Sequence, residues 1–208
     1  PPLYLLEMSV QKTLIPNISR TYIQKNFAEG AKHFQKSIGD IAFLIIPSLF
    51  GLFIFARPIV SMLYTDKFMD SAPYLQIFAF SYLLLMFPHD SVPRATGRSG
   101  WILKVYCIFT AISIGTIYLA SLWVDTKTIL MISIVLKFIP KFWGLKFSKE
   151  IMKWEWKDMF PTRKLITYTA LSLILSVGSV LVQSFFDNEL QWFLVCGSIF
   201  AAVYLGFI

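Results

Sequence analysis

Charge is scarce in this chain of 208 residues: Asp, Glu, Lys and Arg together make up 15%, against 56% hydrophobic residues. Soluble domains carry nearer 25% charge, and a folded surface built from this composition would lack the charge that keeps a protein in solution. Histidine and cysteine are also rare, two of each. His33 and His89 are too few for a histidine metal cluster. Cys107 and Cys196 stand far apart in apolar runs, which excludes a disulfide scaffold and a cysteine zinc site. Phosphate-binding GxxxxGK[ST] and GxGxxG loops, HExxH and GxSxG are all missing, so no soluble-enzyme signature is present.

Aromatic residues, by contrast, are abundant. With 20 Phe, 9 Tyr and 6 Trp the chain is not disordered. Long apolar runs supply the explanation: this is the composition of an all-α integral membrane protein. Helices that cross a bilayer need about 20 apolar residues, and the sequence predicts six of them, at about 41–64, 72–95, 101–124, 128–147, 165–186 and 190–208. The last two meet at a tight turn, Asp187-Asn188-Glu189. A shorter run from Leu3 to about Ile15 reads as the end of a preceding span. Membrane strands would alternate apolar and polar residues, and these runs do not. Pro1-Pro2 without an initiating Met, and an end inside an apolar run, read as an internal or C-terminal piece of a longer polypeptide.

The net charge of +7 sets the expected orientation. Lys12, Arg20, Lys25, Lys32 and Lys36 precede the first span. Arg94, Arg98 and Lys104 lie around the second-to-third connection. From Lys137 and Lys141 at the helix end, Lys146, Lys149, Lys153, Lys157, Arg163 and Lys164 continue into the fourth-to-fifth connection. Of the 19 basic residues, only Arg57, Lys67 and Lys127 fall elsewhere. Basic connections alternating with poor ones follow the positive-inside rule, which places 16–39, 94–102 and 145–164 in the cytoplasm of a multi-pass cell-membrane protein. Asn17-Ile18-Ser19 matches a glycosylation sequon but falls on that inner side. The stretch 142–161 mixes Lys with Trp and Phe, and 148–164 reads as an amphipathic linker at the headgroups. Between two spans, those residue types speak against nucleic acid as a partner.

Within the spans, prolines and charges are the informative residues. Pro47, Pro88, Pro93 and Pro140 each remove a backbone donor and are candidate kinks or hinges. Lys137 lies near the middle of the fourth span, and Lys141 one turn further inward on the same face. A charge at that depth costs at least about 2.5–3.5 kcal/mol unless it faces water or a partner. Asp90 and Arg94, spaced one turn apart beside His89, form a second candidate cluster, and Arg57 is a further cation in an apolar run. Ser172, Ser176 and Ser179 share one helix face and read as a close-packing surface.

The order Leu14-Ile15-Pro16-Asn17-Ile18-Ser19-Arg20, a polar helix, then Ile45-Ile46-Pro47-Ser48-Leu49-Phe50-Gly51-Leu52 resembles polysaccharide flippases. So do Pro58-Ile59-Val60-Ser61-Met62-Leu63-Tyr64-Thr65-Asp66-Lys67-Phe68, Ala72-Pro73-Tyr74-Leu75-Gln76-Ile77 and Arg94-Ala95-Thr96-Gly97-Arg98. Thr65 stands where that family often has Gly. The resemblance is to lipid-linked O-antigen and polysaccharide exporters of the multidrug/oligosaccharidyl-lipid/polysaccharide superfamily, and is clearest over 14–100. It implies most of one bundle of a two-bundle exporter fold, working by alternating access. The implied substrate is an undecaprenyl-pyrophosphate-linked oligosaccharide moved to the outer leaflet, with no bond broken. Lys137, Lys141, Arg94, His89, Asp90 and Arg57 would then be its binding residues. Implied partners are the bilayer, the lipid-linked oligosaccharide and polysaccharide-assembly proteins. No cofactor is expected, and coupling to protons or sodium stays open. A cation-coupled drug exporter of the same superfamily is the alternative. A membrane glycosyltransferase or polymerase is disfavoured, because the longest outer connection is only Thr65–Ser71.

Overall fold

The computed structural model describes residues 2–64, 66–186 and 188–206. Thr65 and Asp187, used above in the family motif and the last turn, lie outside the described residues. Ten α-helices follow one another, and no strand occurs among the described residues. They are α1 (Pro2–Ile23), α2 (Phe27–Ile54), α3 (Ala56–Leu63), α4 (Ala72–Ala79), α5 (Ser91–Ala95), α6 (Ser99–Ser121), α7 (Thr126–Met152), α8 (Trp156–Met159), α9 (Thr162–Leu181) and α10 (Glu189–Gly206). Six helical segments are long and apolar enough to cross a membrane: Phe27–Ile54, Lys67–Ala95, Ser99–Ser121, Thr126–Met152, Thr162–Phe185 and Glu189–Gly206. The chain is an all-α integral membrane protein.

Helix α2 is the centre of the bundle and packs on α1, α4, α8, α9 and the 3₁₀ stretch Phe80–Met86. Its buried stripe, Ala31, Phe34, Ile38, Ile41, Ala42, Ile45 and Leu49, repeats at three- and four-residue spacing. That stripe starts well before the expected first span at Ile41, because Ala31, Phe34 and Ile38 pack with Leu14 and Ile18 of α1 and Val92 of α5. The expected inner connection 16–39 is therefore almost entirely helical, interrupted only at residues 24–26. Lys25 turns the chain with a left-handed φ of 55°. Asn26 then starts α2, its side-chain oxygen accepting from the Glu29 amide while its own amide donates to the Glu29 carboxylate at 2.8 Å.

Prolines decide where helices stop, and they differ in what they do. Pro47 and Pro140 sit inside unbroken α2 and α7. Pro58 has no N–H for the Ile54 carbonyl, and the helix restarts as α3 after Phe55. The second span carries the largest break. After α4 the chain tightens into 3₁₀ geometry over Phe80–Met86, leaves helical form at 87–90, and re-enters α5 with Pro93 inside it. Gly97, at φ 72°, closes α5 and lets the Arg98 amide donate to the Pro93 carbonyl at 2.8 Å.

The linker 148–164 is not one continuous helix. Helix α7 continues to Met152 and ends on Lys153, whose left-handed φ is 54°. The chain then folds inward: Met152, Trp154 and Met159 are buried against α1 and α2, and the Trp154 indole donates to the Phe27 carbonyl at 2.7 Å. These buried linker residues form a plug under the bundle. Its lysines stay outward, with Lys149 over the Trp156 ring at 5.3 Å.

All three basic connections lie at one end. Gln35 of α2 donates to the Lys157 carbonyl, and Trp101 of α6 stacks on Phe147 of α7 at 4.0 Å. At the other end Phe55 packs on Trp192 at 5.0 Å, and the Trp192 indole donates to the Ser179 carbonyl at 2.7 Å. Ser172, Ser176 and Ser179 are buried on α9, the packing face that their spacing predicts.

Candidate functional site

A cleft of about 660 Å³ opens between α1, the broken second span, α6 and α7. Lys137, Pro140 and Lys141 line it from α7. His89 and Asp90 line it from the break, Arg94 from α5, and Glu7 and Gln11 from α1. Helix α6 presents Tyr106, Thr110, Ser113 and Ile117, a stripe at helical spacing with three polar members. Apolar wall comes from Leu84, Leu85, Phe109, Ile114 and Leu136.

Two charge clusters furnish the cleft. In the first, Lys141 Nζ lies 3.6 Å from Glu7 Oε1, with side chains 15% and 8% exposed. The Gln11 amide donates to the same carboxylate oxygen at 3.2 Å. Lys141 also donates to the Leu84 carbonyl. That carbonyl would be served in a regular helix by the N–H of residue 88, which is proline. Pro88 thus leaves an acceptor in the wall, and a lysine from the facing helix takes it.

In the second, Asp90 stands between a histidine and an arginine. Its Oδ1 is 2.5 Å from His89 Nε2, and its Oδ2 accepts from Arg94 at 3.2 Å. The Phe87 carbonyl, 3.1 Å from His89 Nδ1, only accepts, so Nδ1 carries hydrogen. Nε2 is then free to accept from the Tyr106 hydroxyl at 2.6 Å, or to donate to Asp90 when the ring is protonated. Asp90 is nearly buried, whereas Arg94 is half-exposed. Gly144 of α7 backs directly onto His89, and the Ser148 hydroxyl donates to the Gly144 carbonyl at 2.8 Å.

Lys137, Lys141, Arg94, His89 and Asp90, which the sequence singles out, therefore line one cavity together with Pro140. The two lysines are not equivalent: Lys141 is paired and largely buried, while Lys137 is exposed and has no ion-pair partner among the described residues. Pro88 and Pro93 shape the break, and Pro47 lies outside the cleft wall. Arg57 is also elsewhere. It is exposed on α3 and lines a separate hollow of about 300 Å³ with Gln76, Gln183 and Glu189. Missed by the sequence reading were Glu7, Gln11 and the polar stripe of α6. Glu7 did carry a signal, being the one charge in the run from Leu3 to Val10.

A multi-pass helical membrane protein with broken spans around a polar, charge-lined cleft has the build of a transporter. Residues 2–88 match the family described as Lipid II flippase MurJ. That name is a transporter's and not an enzyme's. The match covers α1 through the Pro88 break, including Glu7 and the Leu84 carbonyl but not α6 or α7. It supports a resemblance to lipid-linked precursor flippases at superfamily level. No curated protein and no solved structure matches the chain significantly.

Proposed function

We propose that the chain is part of a flippase for a polyprenyl-diphosphate-linked glycan precursor, with the cleft as the part of its substrate path built by this bundle. The observation that carries the reading is the convergence of Lys137, Lys141 and Arg94, from a proline-bearing helix and a proline-broken one, on a single cavity. A diphosphate is a compact dianion whose oxygens accept from ammonium and guanidinium groups. Among these cations Lys137 is the one ready to receive it, because Lys141 and Arg94 already face carboxylates. Helices broken at membrane depth are tolerated where they line a wet cavity, and they are the elements that open and close in alternating access.

The proposed orientation puts the basic end in the cytoplasm, with 16–39, 94–102 and 145–164 inside and the protein in the inner or plasma membrane. On this reading the fragment supplies most of one of two bundles. In a variant whose two native cysteines are replaced, an impermeant thiol reagent added from outside should label a cysteine at Asn188 and not one at Lys153. The reverse pattern would overturn the orientation.

The function is tested by complementation with the full gene in two strains, one lacking its lipid II flippase and one lacking its O-antigen flippase. Rescue of either supports precursor flipping and identifies the glycan as lipid II or oligosaccharide. Failure in both, with the protein present in the membrane, overturns it.

A further inference from the structure

Glu7 is a nearly buried carboxylate, its side chain 8% exposed, where bare charge is costly. Among the described residues its one ion-pair partner is Lys141, 3.6 Å away, and its only other polar contact is the Gln11 amide. His89 and Asp90 act on it through space from the break before α5. Lys137, Arg94 and the Tyr106 phenol line the same cleft from α7, α5 and α6. Asp90 differs in having both His89 and Arg94, so that losing one leaves the other. A nearly buried carboxylate held by one cation loses most of what keeps it ionised when that cation leaves. Lys141 can leave, because its ammonium borders the cleft, and a dianion attracts it more strongly than one carboxylate does.

We propose that Glu7 is a proton-binding site, filled when the diphosphate of an entering substrate draws Lys141 away from it. This rests on the anionic-substrate reading above. In the empty cleft the ammonium and carboxylate neutralise each other. On entry Lys141 keeps its proton and turns to the phosphate oxygens. The carboxylate left behind takes one proton that bulk solvent delivers through the cleft: an O–H bond of a hydronium ion breaks, the Glu7 O–H bond forms, neutral water is left, and no bond in the substrate breaks. The direct tie between α1 and α7 is released in the same step. Substrate departure reverses both changes, so occupancy of the cleft and protonation of Glu7 rise and fall together.

Calorimetric titration of the full chain in lipid nanodiscs tests this, using a P1,P2-dialkyl diphosphate as probe. Both acid groups of that diester stay ionised near neutral pH, so the ligand brings no proton of its own. Binding heats in two buffers of different ionisation enthalpy give the protons taken up per ligand. The wild-type chain should take up about one, and its affinity should tighten by up to about tenfold per unit fall in pH. Glu7→Gln should bind at least as tightly with no uptake and no pH dependence. If the wild type binds without proton uptake, or Glu7→Gln takes up as many protons as the wild type, the inference is overturned while anion binding in the cleft stands. Should Glu7→Gln not fold, the wild-type stoichiometry and pH slope decide alone. If the probe does not bind at all, the inference falls together with the substrate reading.

Discussion

Gly144 of α7 lies flat against His89: a methyl group placed on it would stand 3.0 Å from the His89 Cβ and Cδ2 atoms and 3.3 Å from its carbonyl oxygen. The close approach lets the non-helical 87–90 segment nest on α7 and keeps Asp90 at the cleft. Gly144→Ala should push the two apart and destabilise the fold by about 1–3 kcal/mol, the usual range for overpacking. Gly144→Leu should be worse. Thermal unfolding in detergent measures both, and an unchanged melting curve for Gly144→Leu would contradict the packing described.

Lys141 and Glu7 should show strong non-additivity. Lys141→Met leaves the nearly buried Glu7 carboxyl without its cation, which costs up to about 3–5 kcal/mol if it stays charged and less where it takes up a proton. Adding Glu7→Gln to that variant removes the carboxyl and should restore most of the loss. The double-mutant cycle is read by denaturant unfolding, and additive effects would mean that the pair is not coupled.

Lys137 should matter to transport and not to stability. It is exposed in the cleft, and nothing in the fold depends on its charge. Lys137→Glu should abolish rescue in the complementation assay at wild-type membrane levels, and Lys137→Ala should weaken it in a salt-dependent way. Wild-type rescue by Lys137→Glu would exclude this residue from the substrate path.

At the end poor in basic residues, Asp125 starts α7 by accepting from the Thr128 hydroxyl and the Lys127 amide. Those hydrogen bonds, the Thr128 side chain first, hold its carboxyl below the ordinary value of 3.8. The depressed value means the cap stabilises the folded state above the ordinary carboxylate range, and the contribution is lost as pH falls through the folded value. Wild type and Asp125→Ala should therefore differ in melting temperature at pH 7 and converge on acidification below pH about 4. A gap that persists in acid would show that the carboxylate charge is not what caps the helix.

The sequence reveals the spans and the clustering of basic residues, because both depend on composition summed over twenty-residue stretches. Lys137 and Lys141 were legible for the same reason, as charges that an apolar run does not tolerate without a partner. The partner was not legible: Glu7 lies far from Lys141 in sequence, and nothing local says that α1 and α7 face each other. The plug at 148–164 went unrecognised because Trp and Met beside Lys suit both a headgroup interface and a buried cap. Only the Phe27 carbonyl accepting from Trp154 separates the two. Arg57 resembled the cleft cations in its surroundings and differed only in which end of the bundle it reached.

Helix α7 is a single rod of about 40 Å, yet it is held unevenly. Beyond Pro140 it is gripped at Gly144, Leu145, Ser148 and Met152, whereas before Pro140 only Ile134 is buried. Its basic end is the more deeply embedded, its other half rests more loosely on α4, and the rod is weakest where the proline omits a hydrogen bond. Lys141 rides on the embedded half and Lys137 on the looser one, so two cations one turn apart stand on either side of that weak point. Bending there would change the spacing between them, and with it the size of the anion that the pair can grip.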